Sequence, residues 1–227
     1  MSQPRMISAT APTLAMNRVL RNTYALLALT LLFSAFTAGL SMVFNWPYPG
    51  LILTLVGYFG LLFLTSRFRD SGWGLLCVFA LTGFMGITLG PILNYYLVAV
   101  HNGSQLVATA LGMTGGIFLL LSGYVLTTRR NFSFMGGMLM VGILVAFLSG
   151  LGLVVASSMF GMEVSGAMLG ISALFVLLMC GLILYQTSEI IHGGETNYIM
   201  ATVTLYVSLY NLFMSLLHLL AAFGGDD

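Results

Sequence analysis

The sequence predicts an all-α membrane protein of seven transmembrane helices, with the C-terminal helix central and the other six around it. Three observations predict this. Only 6% of the 227 residues are charged, where soluble domains carry roughly 25%. Apolar runs of spanning length follow one another with short breaks between them. All the basic residues, each an arginine, fall on one side of the topology those runs imply. A chain so poor in charge cannot cover a water-facing surface, so lipid is its solvent. Its net charge of +1 gives no basic footprint for nucleic acid.

A bilayer core takes about 20 apolar residues per spanning helix. The runs are 24–44, 49–66, 74–100, 105–127, 134–160, 166–190 and 198–223. Turn residues and charges separate them, among them Asn45-Trp46-Pro47-Tyr48, His101-Asn102-Gly103-Ser104 and His192-Gly193-Gly194-Glu195. The period-two alternation of a barrel strand is absent, which leaves helices as the spanning structure. The expected plan is a cytoplasmic N-terminal tail over 1–22, a transmembrane domain over 23–224 and a short external C-terminus over 225–227. The tail is polar and has the composition of a disordered segment. It lacks a short apolar stretch with a small-residue cleavage site, so the first helix is expected to be an uncleaved start-transfer segment.

Orientation follows from the arginines. Arg5, Arg18 and Arg21 precede the first run, Arg67 and Arg69 follow the second, and Arg129 and Arg130 follow the fourth. The positive-inside rule places that side in the cytoplasm. An odd helix count then puts Asp226 and Asp227 outside.

Polar residues within the runs carry the functional signal. In the last run Asn197, Ala201, Thr204, Ser208, Asn211, Ser215 and His218 lie alternately four and three residues apart. This is one small or polar face of a helix. Hydrocarbon satisfies none of these groups, so the face is expected to point into the bundle. It serves either hydrogen bonding between helices or the wall of a pore or proton path. In the third run Gly90-Pro91 predicts a break or kink, with Asn94 placed to satisfy a freed carbonyl. The pairs Gly86 and Gly90, Gly112 and Gly116, and Gly166 and Gly170 have the spacing of close helix contacts.

Other chemistry is sparse. Glu189 and His192 form one Glu-x-x-His pair, with Glu195 beyond it, but di-iron bundles need two copies and further glutamates. Gly193-Gly194 ends the helix at once, so no metal is expected there. Cys77 and Cys180 read as small core residues. No cofactor motif is present, and no nucleophile–base–orienter set assembles, which disfavours an enzyme.

The runs Gly86-Ile87-Thr88-Leu89-Gly90-Pro91-Ile92, His192-Gly193-Gly194-Glu195-Thr196-Asn197-Tyr198-Ile199 and Leu205-Tyr206-Val207-Ser208-Leu209-Tyr210-Asn211-Leu212-Phe213 resemble the Bax inhibitor-1 family, also called TMBIM. The likeness extends over the whole chain, and the His192 run resembles the bacterial YccA-type branch. The resemblance implies a bacterial inner-membrane protein whose seventh helix is enclosed by six others. It implies binding and modulation of the membrane AAA protease FtsH with its HflK–HflC partners, and the N-terminal tail is a handle that protease could grip.

The alternative it implies is a pH-sensitive calcium leak. There two aspartates on helices six and seven share a proton, and an arginine at the end of helix two latches onto one of them. Those positions are Gln186 and Ser208 here, while the latch position, Arg67, is retained. Neither Gln186 nor Ser208 supplies a titratable proton, so the paired-carboxyl sensor is missing. Glu189, three residues from Gln186, is the remaining carboxylate that could meet Arg67. The candidate polar core or ion path is therefore Gln186, Glu189, Ser208, Asn211 and Asn94. The family-motif loop is His192, Gly193, Gly194, Glu195 and Asn197. Expected partners are membrane lipid, FtsH with HflK–HflC and, in the alternative, calcium.

Overall fold

The computed structural model describes residues 10–100 and 102–224, with side chains from Asn17 onward. Arg5, His101, Asp226 and Asp227 lie outside the described residues. Seven α-helices follow in order: α1 Thr10–Val43, α2 Leu51–Arg67, α3 Trp73–Ala99, α4 Gly103–Thr128, α5 Gly136–Phe160, α6 Ser165–His192 and α7 Tyr198–Gly224. A 3-10 turn, Ser133–Met135, leads into α5. Six of the helices have the length and apolarity of a membrane span. The seventh, α2, has 17 residues and stands at the lower limit for crossing a bilayer core.

The apolar runs locate α2 to α7 closely, but α1 starts much earlier than its run. It is helical from Thr10, so the second half of the 1–22 segment is helix. Residues 11–22 include Ala11, Leu14, Ala15, Met16 and Leu20, all strong helix formers, and Pro12 falls in the first turn, where its missing N–H costs nothing. Hydropathy marks where a helix meets lipid, not where it begins.

Helix α7 is the axis. Helices α1, α3, α4 and α6 pack directly on it, while α2 leans on α3 and α5 on α6. Two core clusters run along α7. One gathers Leu27, Val78, Leu81 and Ile190 around Leu205 and Tyr206. The other gathers Ala110, Ile183 and Met179 around Leu212 and Leu217. The outward faces of α2 and α5 are just as apolar, with Ile52, Val56, Phe63, Met140 and Val141 exposed. Lipid tails are as apolar as Leu, so an exposed apolar face costs nothing and close packing must hold the helices together instead.

That packing is tightest between α1 and α3. A Cβ added to Gly90 would lie 2.9 Å from the Ala38 carbonyl oxygen and 2.5 Å from the Ser41 Cβ. One added to Gly86 would collide with the Ser34 carbonyl and the Thr37 side chain, and one on Gly83 would come within 2.7 Å of the Phe33 ring. Gly86 and Gly90 are thus the close contact their spacing predicts. The other two pairs are not. Gly112, Gly116, Gly166 and Gly170 have open space where a Cβ would go, with nothing within 4 Å. Four-residue spacing puts two glycines on one face; only a facing helix makes that face a contact.

Within this seam Pro91 finds an unexpected partner. Helix α3 runs unbroken through Pro91, which has no N–H for the carbonyl of Ile87 four residues back. The Ser41 hydroxyl on α1 donates to that carbonyl at 2.9 Å. Asn94, the residue expected to do this, reaches Asn45 Oδ1 at 3.5 Å instead. Cys77 is buried, Cys180 is half-buried and both are free thiols.

The seam predicts a contrast between glycines. Gly86→Val should destabilise the protein by about 1–3 kcal/mol through overpacking, whereas Gly112→Val should stay within about 0.5 kcal/mol of the parent. Thermal unfolding in a mild detergent checks both; equal effects would mean that the α1–α3 approach is not what the seam holds.

Candidate functional site

The polar face of α7, expected to point into the bundle, is only partly enclosed: alternate members are buried and the others lie along the less covered side of the helix. Ala201 and Ser208 are fully buried, Ser215 is nearly so, and Asn197, Thr204, Asn211 and His218 are half-buried. Two of its members bond to carbonyls of their own helix. The Ser208 hydroxyl donates to the Thr204 carbonyl at 2.7 Å, and Asn211 Nδ2 donates to the Val207 carbonyl at 2.8 Å. Back-bonding to the carbonyl four residues earlier is the short-range option open to such side chains. It satisfies the Ser208 hydroxyl as a donor, while Asn211 keeps its second N–H and its Oδ1 free at the edge of a cavity.

The bonds that tie α7 to α1 and α3 come from other positions. Tyr206 is 1% exposed. Its hydroxyl donates to the Thr82 carbonyl on α3 at 3.3 Å and lies 2.6 Å from the Ser34 hydroxyl on α1. With the tyrosine proton spent on Thr82, Ser34 is the donor in the second bond. Thr202 donates to the Tyr198 carbonyl at 2.7 Å and lies 3.2 Å from the Thr23 carbonyl on α1. From the polar face itself, His218 Nδ1 lies 2.8 Å from the Ser172 hydroxyl on α6. Tyr206 falls outside the predicted set because its ring counts as apolar. The signal that would have found it is its hydroxyl at mid-span, since a buried tyrosine needs a partner.

At the arginine end, the motif loop is a clasp. Gly193 adopts φ 77°, a left-handed turn that ends α6. The N–H groups of Gly194 and Glu195 then donate to the Glu189 carbonyl at 2.9 and 3.2 Å. The Glu189 carboxylate folds back over Gly194, into the space a Cβ there would occupy. Asn197 caps α7: its Oδ1 accepts from the N–H of Ile199 and Met200 at 3.0 and 3.1 Å. Its Nδ2 donates to the Arg69 carbonyl at 3.0 Å and to Asp70 Oδ1 at 2.8 Å, reaching the α2–α3 loop. Glu195 accepts from the Asn197 N–H at 2.7 Å. His192 Nε2 lies 3.1 Å from the Arg129 carbonyl, and the Phe132 N–H donates to Ser188 at 2.9 Å, reaching the α4–α5 loop. The loops that carry the arginines are thereby drawn to one end of the bundle.

The remaining candidates do not form one path. Gln186 is 5% exposed, and its Nε2 has no partner among the described residues. Glu189 accepts a hydrogen bond from the Ser133 hydroxyl, facing the turn before α5. The expected Glu189–Arg67 latch is not made. Arg67 is exposed, and the ion pair among the described residues is Arg69–Asp70 at 3.5 Å. Asn94 lies at the opposite end, beside Asn45. No cluster of three metal-ligating side chains occurs among the described residues.

Two cavities flank α7. The larger, about 740 Å³, lies between α2, α3, α5, α6 and α7, with Thr54, Tyr58, Thr88, Tyr210 and Asn211 as its polar edge. The smaller, about 440 Å³, lies between α1, α3, α4 and α7. Tyr210 stands in the wall of both. Neither is lined by a charged side chain, and Ser208 lines neither.

Residues 16–225 match the family described as inhibitor of apoptosis-promoting Bax1. The chain belongs to the Bax inhibitor-1 family. It is 54% identical over 207 residues to "Modulator of FtsH protease YccA" of Escherichia coli strain K12, covering 91% of each chain. It has the same identity and coverage with "Inner membrane protein YccA" of Escherichia coli O6:H1. It is 52% identical over 225 residues to "Uncharacterized protein PA2604" of Pseudomonas aeruginosa, covering 99% of this chain and 98% of the other. At the two positions where the resemblance places a proton-sharing aspartate pair, this member of the Bax inhibitor-1 family has an amide and a hydroxyl, Gln186 and Ser208.

The Tyr206 node predicts coupled energetics. Tyr206→Phe and Ser34→Ala should each cost about 0.6–1.7 kcal/mol, the range for hydrogen bonds within membrane bundles. The double variant should lose less than the sum of the two. Chemical denaturation in mixed micelles measures the cycle, and strict additivity would deny the bond. In the clasp, Asn197→Ala should cost about 1 kcal/mol through loss of the α7 cap.

Proposed function

We propose that this protein is an inner-membrane modulator of the membrane protease FtsH, acting with HflK–HflC, and not a catalyst or an ion channel. The observation that carries this reading is the charge-free interior: both cavities are walled without a carboxylate. An ion path through hydrocarbon needs charged or concentrated polar ligands along its length. Here Ser208 spends its donor on its own helix and lines neither cavity, and Asn211 gives one of its two N–H groups to the Val207 carbonyl. The near full-length identity to the relative named as a modulator of FtsH supports the same reading.

In this reading the arginine end faces the cytoplasm and the C-terminus faces the periplasm. Support comes from the clasp, which gathers the loops holding Arg69 and Arg129 at one end of the bundle, and from the positive-inside rule. The N-terminal segment then lies on the side where an ATP-driven protease works. The protein occupies FtsH within the membrane and restrains its attack on other membrane substrates, with the α1 extension as the segment within reach.

Two outcomes test this. Purification from native membrane in a mild detergent should bring down FtsH with HflK–HflC, and overproduction should slow the loss of another FtsH membrane substrate; absence of both partners refutes the reading. In liposomes loaded with a calcium dye, the pure protein should give no pH-dependent calcium entry. A flux that rises on acidification and falls in Glu189→Gln would favour the leak.

A further inference from the structure

The larger cavity opens sideways to the bilayer. The α2 and α5 backbones stand apart, bridged by the rings of Phe59 and Phe147 at 5.7 Å. Met140 and Leu144 are cavity walls and yet 77% and 56% exposed, so they form a mouth facing lipid. A cavity lined almost wholly by apolar side chains stays dry, and a void without atoms forfeits the dispersion contacts of its lining. At about 740 Å³ it is within the size range of sites that enclose a small ligand. The apolar matter present at solvent concentration beside this mouth is the acyl chain of a phospholipid.

Charge selects which phospholipid. The cavity is closed at one end by Gly136 and Tyr185, where α5 begins, and a Cβ on Gly136 would lie 2.9 Å from the Tyr185 ring. Arg129 and Arg130 lie just before this point in the chain, joined to it by the turn Ser133–Met135. Both are exposed and in no ion pair among the described residues. Two negative carboxylates, Glu189 and Glu195, lie near Tyr185 at the same end. Both are half-buried and held by bonds within the protein, from the Ser133 hydroxyl and the Asn197 N–H, whereas the two guanidinium groups face outward. Two arginines beside the end of an apolar slot are a basic site at headgroup depth, which favours an anionic headgroup.

We propose that this cavity holds one acyl chain of an anionic phospholipid whose headgroup rests on Arg129 and Arg130. The proposal is independent of the FtsH reading, and of the α7 polar face only Asn211 reaches the cavity wall.

Native mass spectrometry tests it on the full chain, purified in detergent and exposed to equal amounts of phosphatidylglycerol and phosphatidylcholine with the same acyl chains. The wild type should retain one phosphatidylglycerol, preferred over phosphatidylcholine by roughly tenfold. Arg129→Gln with Arg130→Gln should bring the two lipids near parity. Leu144→Trp, which crowds the mouth from an exposed position, should cut retention of both several-fold. Matching unfolding temperatures establish that the variants fold. Equal retention of the two lipids by the wild type, retention unchanged by Leu144→Trp, or a polypeptide in place of lipid would each overturn the proposal.

Discussion

Hydrocarbon offers no hydrogen bonds, and the interior of this protein is arranged around that constraint. Most polar groups in it bond within their helix or to a neighbour, because no water waits outside. The Thr23 hydroxyl, the Tyr24 hydroxyl and Gln186 Nε2 are buried exceptions among the described residues. The small side chains of α7 take the first course. Ser208, Asn211 and Thr202 each reach a carbonyl four residues earlier. Tyr206 is too long to do so, and its hydroxyl crosses to α1 and α3 instead. The same rule explains Ser41, which reaches from α1 to the α3 carbonyl that Pro91 leaves without a donor.

Such bonds are individually weak, about 0.6 kcal/mol on average in a membrane bundle. They also require geometry they cannot create. The close approach comes from Gly83, Gly86 and Gly90, which let α3 sit on the carbonyls and side chains of α1. With that distance set, Ser34 and Ser41 are brought within reach of Tyr206 and Ile87. The α1–α3 seam thus precedes the hydrogen bonds in the order of causes, and α7 is fixed against the pair.

Spending polar groups on architecture bears on function. The residues of the motif loop act mechanically. Gly193 turns the chain, Asn197 caps α7 and holds the α2–α3 loop, and His192 holds the α4–α5 loop. The end of the bundle that carries the arginines is therefore cross-tied. The middle has two apolar cavities with Tyr210 between them. A rigid end and a charge-free middle suit a protein that presents a surface within the membrane better than one that conducts ions. The relatives named as FtsH modulator and inner membrane protein are consistent with that division of labour.

The sequence by itself determined the helix count, the order of the spans and the central position of α7, but only alternate members of the polar face it marked on that helix are buried. Hydropathy and three-four periodicity depend on short stretches of chain and on the solvent those stretches meet. What lay beyond it depended on partners distant in the chain. Identical four-residue glycine spacings became one seam and two open faces according to which helix stood opposite. Ser41, not the nearby Asn94, answered Pro91, and Ser133, not Arg67, answered Glu189. Composition could not reveal the start of α1 at Thr10, since helix propensity continues past the edge of lipid. Nor could it reveal the gap between α2 and α5, because in a hydrocarbon solvent a cavity wall, a lipid-facing surface and a packed core are written in the same residues.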